Sequence, residues 1–398
     1  MDKLALTGGT PVRTAPFPSW PIVGEEEERL ILEVVRSGKW GGSGTRIKLV
    51  ELEERFAELH QAKHAITLVN GTMGLTVALQ AVGVQPGDEV IMPPYTFIAT
   101  ATSALIFGAI PVFVDVESDT LNLDPEKVEA AITPRTKAIV AVHIAGAPAN
   151  MTRLKEIAAK HGLRLIEDSA QGVGAEWEGR KVGALGDIGS FSFQLGKNIT
   201  SGEGGIMLSN DEEVADHAWS LTNVGRIRKG EWYQHERIGW NLRMTEFQAA
   251  IVLAQLSRFK EQFALRERNA KLLNELFAEI EGIRLLQTDP RITANGRHMY
   301  MFALDPALAD RIDKMSVINM LNAEGIPAQP GYVSLNHNKA VIADTKKWTG
   351  VERIYSCPIS ERFCDKEVLW LMQNVLLAGE KDMHQIAEAV LKVIRAVS

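Results

Sequence analysis

Between residues 65 and 210, short runs rich in Val and Ile alternate with longer amphipathic stretches, and this alternation restricts the possible folds more than any other feature of the chain. The short runs AITLVN, DEVIMP, IPVFVDV, KAIVAVHIAG and LRLIED have strand length and β-branched composition. Between them, GLTVALQAVGV, FIATATSALIFGA, PEKVEAAI and MTRLKEIAAKHG space their apolar residues along one helical face, and several run into Gly. Strands joined by helices pair in parallel, and strands apolar on both faces need cover on both sides. The expected fold is therefore α/β, a mostly parallel sheet between helical layers.

After Asn241 the pattern changes. Thr245 and Gln248 form a capping box, and helical periodicity then runs toward Ile280 without Gly or Pro, as in a helix linking two domains. RHMYMFAL reads as a strand, and KMSVINMLNAEG and KDMHQIAEAVLKVIRAV as helices. These predict a large domain over 1–255, entered by a proline-containing arm before EEEERLILEVVRSG, and a smaller C-terminal α+β domain over 256–398.

A chain of 398 residues can bury a large core without disulfides. Its net charge of -7 and the lack of Lys/Arg-rich runs give no field to collect nucleic acid. Cys357 and Cys364 are the only cysteines, with no His pair at metal-ligand spacing nearby, and are expected to be free thiols, with no metal site. No segment reaches the roughly 20 apolar residues of a membrane span, and the N-terminus lacks the apolar core of a secretory signal. A cytoplasmic location follows as an expectation.

Four motifs carry chemistry. In SFSFQLGKNITSGEGG a strand ends near Phe193, Lys197 follows in a short loop, and glycines crowd the next turn. A lysine confined there loses its proton more easily, and the neutral amine attacks an aldehyde, which makes Lys197 a candidate Schiff-base residue. LRLIED delivers Glu167 and Asp168 to a strand's carboxyl end, where ligands of open α/β sheets bind. A carboxylate there can keep a pyridine nitrogen protonated, and Asp168 suits this better than Glu167 if neighbouring positions alternate faces. NGTMGLTVAL places a polar turn at a helix start, so that the amides of Thr72 and Met73 would face an anion. PPYTFIAT offers Phe97 as a stacking face for an aromatic ring. Neither G-x-G-x-x-G nor G-x-x-x-x-G-K-[ST] occurs, which disfavours a nucleotide site.

In these motifs, and in GSGTRIKLVELEERFAELH, IEDSAQ and GWNLRMTEFQAA, the chain resembles the DegT/DnrJ/StrS-type sugar aminotransferases, a family of fold-type-I pyridoxal-phosphate enzymes. The resemblance implies a mixed seven-stranded sheet in the larger domain. It implies pyridoxal 5'-phosphate as cofactor, with Lys197 as the Schiff-base lysine, Asp168 as the pyridinium partner and Gln171 at the phenolic oxygen. By the same resemblance Thr72, Met73 and Ser192 hold the phosphate, Phe97 stacks, and Asn241 reaches the site of the neighbouring subunit in a homodimer. SFQLGK, with Gln194, and VLWLMQNVLLAGE are similar to the branch of glutamine-dependent keto-cyclitol aminotransferases and aminohydroxybenzoate synthases. The implied reaction moves an amino group from glutamate or glutamine to a keto sugar or keto cyclitol, in amino-sugar, surface-polysaccharide or antibiotic-type biosynthesis. Polar side chains in 298–300 and 332–338 are candidates for contacts to the acceptor's hydroxyls. The alternatives are a synthase-like activity and a catalytically idle regulator on the same fold.

Overall fold

The computed structural model describes residues 3–42, 44, 46–286 and 289–397; Ser43 and Thr45, within one of the motifs above, lie outside the described residues. The strands of the first half are β1 (His64–Leu68), β2 (Glu89–Met92), β3 (Ile110–Phe113), β4 (Thr136–Val142), β5 (Arg164–Asp168), the short β6 (Glu176–Trp177) and β7 (Arg180–Lys181), β8 (Ile188–Ser192) and β9 (Gly205–Ser209). Seven of them form one sheet in the order β1-β9-β8-β5-β4-β2-β3. The pairs β2/β3, β2/β4, β4/β5 and β5/β8 are parallel, whereas β9 runs antiparallel to both β8 and β1. The expected mostly parallel sheet is thus present, with one reversed strand.

That reversal positions the site. Because β9 opposes both neighbours, β1 points the same way as β8, so the carboxyl ends of β1, β2, β5 and β8 share one rim. The connection from β8 to β9, which carries Lys197, crosses the same rim. Ligands of open α/β sheets bind there.

The strands are covered on both sides. Val90, Met92, Ala138, Val140 and Ile166 pack into one core, while the intervening Ile91, Ile139, Ala141 and Leu165 pack into another with Met151, Leu154 and Ile157 of the helix Met151–His161. Successive side chains of a strand point to opposite faces, so this split requires helices on both.

The Thr245 box caps a 32-residue helix, Glu246–Phe277. Its later turns join a C-terminal core with the helix Glu380–Val397 and a sheet of β10 (Ile283–Leu285), β12 (Met299–Leu304) and β13 (Val368–Met372); β11 (Ile292–Ala294) instead pairs with β6. Residue parity decides which way these strands face. Tyr300 and Phe302 enter the C-terminal core, whereas Met299 and Ala303 face the core of the large sheet. Tyr300 therefore does not face a substrate cleft as expected from its polarity. It donates to Asn274 Oδ1 at 2.8 Å and packs on Phe277.

The N-terminal arm, grouped with residues 1–255 by sequence, lies against the C-terminal core through Leu4, Val12 and Phe17. Its anchor is Glu324, fully buried, whose carboxylate accepts from the amides of Ala5 (2.8 Å) and Val12 (3.0 Å) and from Lys392 Nζ (2.9 Å). A segment without its own apolar periodicity gives no sign in sequence of which core will hold it. Among the described residues no helix is long and apolar enough to cross a membrane.

Candidate active site

A cavity of about 560 Å³ opens on the shared rim, lined among others by Thr72, Phe97, Asp168, Gln171, Ser192 and Lys197. Six of the eight residues singled out from sequence thus meet in one place.

Lys197 sits in a loop held from several sides. Its amide donates to Gln194 O (2.9 Å), Asn198 Nδ2 donates to Gly296 O (2.6 Å), and Trp20 Nε1 of the arm donates to Leu195 O (2.8 Å). Loss of hydration pushes the Lys197 amine down to about 8, a shift that the Asp168 carboxylate only partly opposes. Near neutral pH a useful fraction is therefore the nucleophilic free amine.

Asp168 ends β5, 6% exposed. Its Oδ2 accepts from Thr100 Oγ1 at 2.7 Å and its Oδ1 from the Ala170 amide at 3.2 Å. Burial pushes its carboxyl above the ordinary range, with Thr100 and Lys197 pulling the other way. Such a carboxylate is stabilised by a cationic nitrogen placed against it.

Glu167, the other acid of the pair, points to the opposite face. It accepts from His143 Nε2 (3.0 Å) and from the amides of Gly183 (2.8 Å), Leu185 (2.7 Å) and Gly186 (2.8 Å). His143 Nδ1 accepts from Ala149 N at 3.1 Å, so its only ring proton is the one given to Glu167. Burial alone would raise Glu167, but His143 and the backbone donors outweigh it and hold the carboxyl below the ordinary range. A depressed carboxylate stabilises the fold above its unfolded pKa, and that stability is lost as pH falls through the folded value. Glu167→Ala is expected to cost about 3–5 kcal/mol, because it strands a buried imidazole N–H and three amides. Urea unfolding at neutral pH measures this, and an unchanged midpoint would contradict the structural role.

The helix Gly71–Ala81 starts at the end of β1, capped by Asn70, whose Oδ1 accepts from Met73 N at 2.9 Å. In this structure the Met73 amide is engaged by the cap, and Met73 is not among the residues lining the cavity. The amides of Gly71 and Thr72 remain without intrahelical partners, as in the first turn of any helix. They adjoin Ser192 closely, since a Cβ on Gly71 would lie 2.8 Å from Ser192 Cβ. The close approach makes a cradle of two amides, the Thr72 side chain and a serine hydroxyl, suited to a phosphate.

Phe97 is 56% exposed, and its position on the cavity leaves its face available for stacking. Gln171 is fixed: its Oε1 accepts from the Ala145 amide at 2.6 Å and its Nε2 donates to Tyr332 OH at 3.0 Å. Asn241, exposed and bridged to Asn223, does not line this chain's cavity. His298, also expected in a cleft, is buried beside Asn198, with its Nδ1 3.3 Å from Oδ1. Thr100 was missed by sequence reasoning. It shares a 3.0 Å hydrogen bond with Thr96, which lies in the bend before the helix Ala99–Leu105.

An amine of lowered pKa, a buried carboxylate, an anion cradle and an aromatic face thus surround one cavity. They fit a flat ring with a basic nitrogen, an aldehyde and a phosphate. Similarity to known proteins agrees with this chemistry. L-glutamine:2-deoxy-scyllo-inosose aminotransferase of Streptoalloteichus tenebrarius is 39% identical, over 98% of this chain and 97% of the relative. 3-Amino-5-hydroxybenzoate synthase of Amycolatopsis mediterranei is 38% identical, over 95% and 97%. The crystal structure of a 3-amino-5-hydroxybenzoic acid synthase superposes with a TM-score of 0.87 at 36% identity, over 96% of this chain and 100% of that one. The pattern of one family matches residues 21–391, and with it the fold is that of the fold-type-I aminotransferases: the chain belongs to the DegT/DnrJ/EryC1/StrS aminotransferase family.

Proposed function

We propose that this aminotransferase uses pyridoxal 5'-phosphate to carry an amino group from glutamine or glutamate to a keto cyclitol or keto sugar, as a cytoplasmic homodimer with shared sites. The observation that carries the cofactor reading is the convergence of Lys197 and Asp168 on one cavity beside the Thr72 and Ser192 cradle. When bound, the cofactor supplies an electron sink for the carbanion left by removal of a proton next to nitrogen.

The chain's own residues do the rest. Lys197 would supply the amine that holds the cofactor's aldehyde and the base that carries a proton at the donor's α-carbon. Asp168, held by Thr100, keeps the ring nitrogen protonated. The Gly71 and Thr72 amides and Ser192 would hold the phosphate, Phe97 would stack on the ring, and Gln171 would contact the phenolic oxygen. Asn241 completes the partner's phosphate site, in keeping with its place outside its own chain's cavity.

The named activities of the two curated relatives support a polyhydroxylated cyclic ketone as acceptor. A site that pairs several hydroxyls rejects ketones that lack them, because its polar groups are left unpaired. The test is a panel of second half-reactions, in which enzyme first aminated by L-glutamine is mixed with 2-deoxy-scyllo-inosose, keto sugars or simple keto acids while its absorption band is followed. Return of the resting band with a cyclic polyol ketone is the expected result. Return with simple keto acids alone would place the enzyme in amino-acid metabolism. The second reading, a synthase-like activity favoured by the hydroxybenzoate relatives, would show as formation of an aromatic product.

A further inference from the structure

Tyr332 belongs to the C-terminal half yet lines the cavity beside Gln171, 161 positions away in sequence. The hydrogen-bond directions here are unambiguous. The Ala145 amide can only donate, so the atom of Gln171 facing it is Oε1, and the atom facing Tyr332 is Nε2. Nε2 can only donate, so the Tyr332 oxygen accepts, and the phenol's own proton finds no acceptor among the described residues. Burial, and secondarily the Asp168 charge, push the phenol above its ordinary range, so that proton stays in place.

The ring is also rigid. It meets Tyr95 edge-on at 5.6 Å and Trp370 at 4.4 Å, and those two buried residues are tied by Trp370 Nε1 donating to Tyr95 OH at 2.9 Å. An oriented, permanently protonated donor at the wall of this largely apolar cavity suits an oxygen acceptor on a ligand.

We propose that Tyr332 donates a hydrogen bond to a hydroxyl oxygen of the ring ketone and so selects polyhydroxylated acceptors over bare ones. This assignment rests on the proposed function. Tyr332→Phe retains the ring and its packing and removes only the hydroxyl. In that variant the rate constant for 2-deoxy-scyllo-inosose is expected to fall roughly ten-fold relative to the L-glutamine half-reaction, the worth of one hydrogen bond at the upper end of the usual range. Preference over cyclohexanone, which has no hydroxyls, shrinks by the same factor.

Equal falls in both half-reactions, an unchanged preference, or a shifted resting absorption band with unchanged preference would put the hydroxyl's role elsewhere and overturn the proposal. If the unaltered protein accepts no cyclic polyol ketone at all, the proposed function fails first and this assignment with it. Should Tyr332→Phe not fold, the same question is asked of the unaltered protein with a series of ketones each lacking one hydroxyl. A loss of about ten-fold confined to one of them supports the proposal, and no loss for any overturns it.

Discussion

Replacing Lys197 with Ala is expected to lower turnover by roughly 10⁴-fold or more while leaving the fold intact, since one substitution removes both the covalent anchor and the proton carrier. The side chain forms no hydrogen bond or ion pair among the described residues, so nothing structural depends on it. Steady-state transamination without added amine measures the loss, and a folded variant with substantial activity would defeat the assignment. The same variant tests the shared site. Mixed with Asn241→Ala subunits, it is expected to form heterodimers of the proposed kind, in which one of the two sites has both residues. Activity is expected to reappear on subunit exchange, and none after verified exchange would count against a shared site.

Asp168→Ala is expected to reduce turnover by roughly 10² to 10³-fold, the range seen when a preorganised electrostatic partner is removed from a reacting centre. Asp168→Asn keeps the shape and the Thr100 contact but not the charge, so it should fall by a similar factor. This distinguishes a charge effect from a cavity effect. Near-unaltered rates in either variant, with cofactor fully bound, would move the role to another group. The geometry already excludes the neighbouring acid, because Glu167 is consumed by His143 and three backbone amides on the opposite face.

That discrimination was legible in the sequence, since period-two alternation sends two adjacent strand residues to opposite faces. Lys197 and the helix start at Gly71 were legible for the same kind of reason: local punctuation by Gly and by a capping Asn fixes where a loop or a helix begins. Met73 shows the limit of such reading. Composition marks an anion-binding turn, but the Asn70 cap's hold on the Met73 amide is visible only once side chains are placed. Tyr300 failed differently, because its parity within β12 assigns it to the C-terminal core, and sequence does not say which face of that strand meets which core. Thr100 reaches the site through a contact across 68 residues that no local pattern encodes, and Tyr332, in a stretch singled out by its polarity, meets Gln171 across 161 residues. The arm's attachment through Glu324 is of the same kind.

The central claim is that Lys197 is the residue joined to the cofactor. Its most direct test is reduction of the purified protein, reconstituted with pyridoxal 5'-phosphate, by borohydride, followed by peptide mass mapping. The reduced cofactor should be found on the peptide containing Lys197, with loss of the visible absorption band. A stable adduct on a different lysine, or none on a protein that still transaminates, would contradict it.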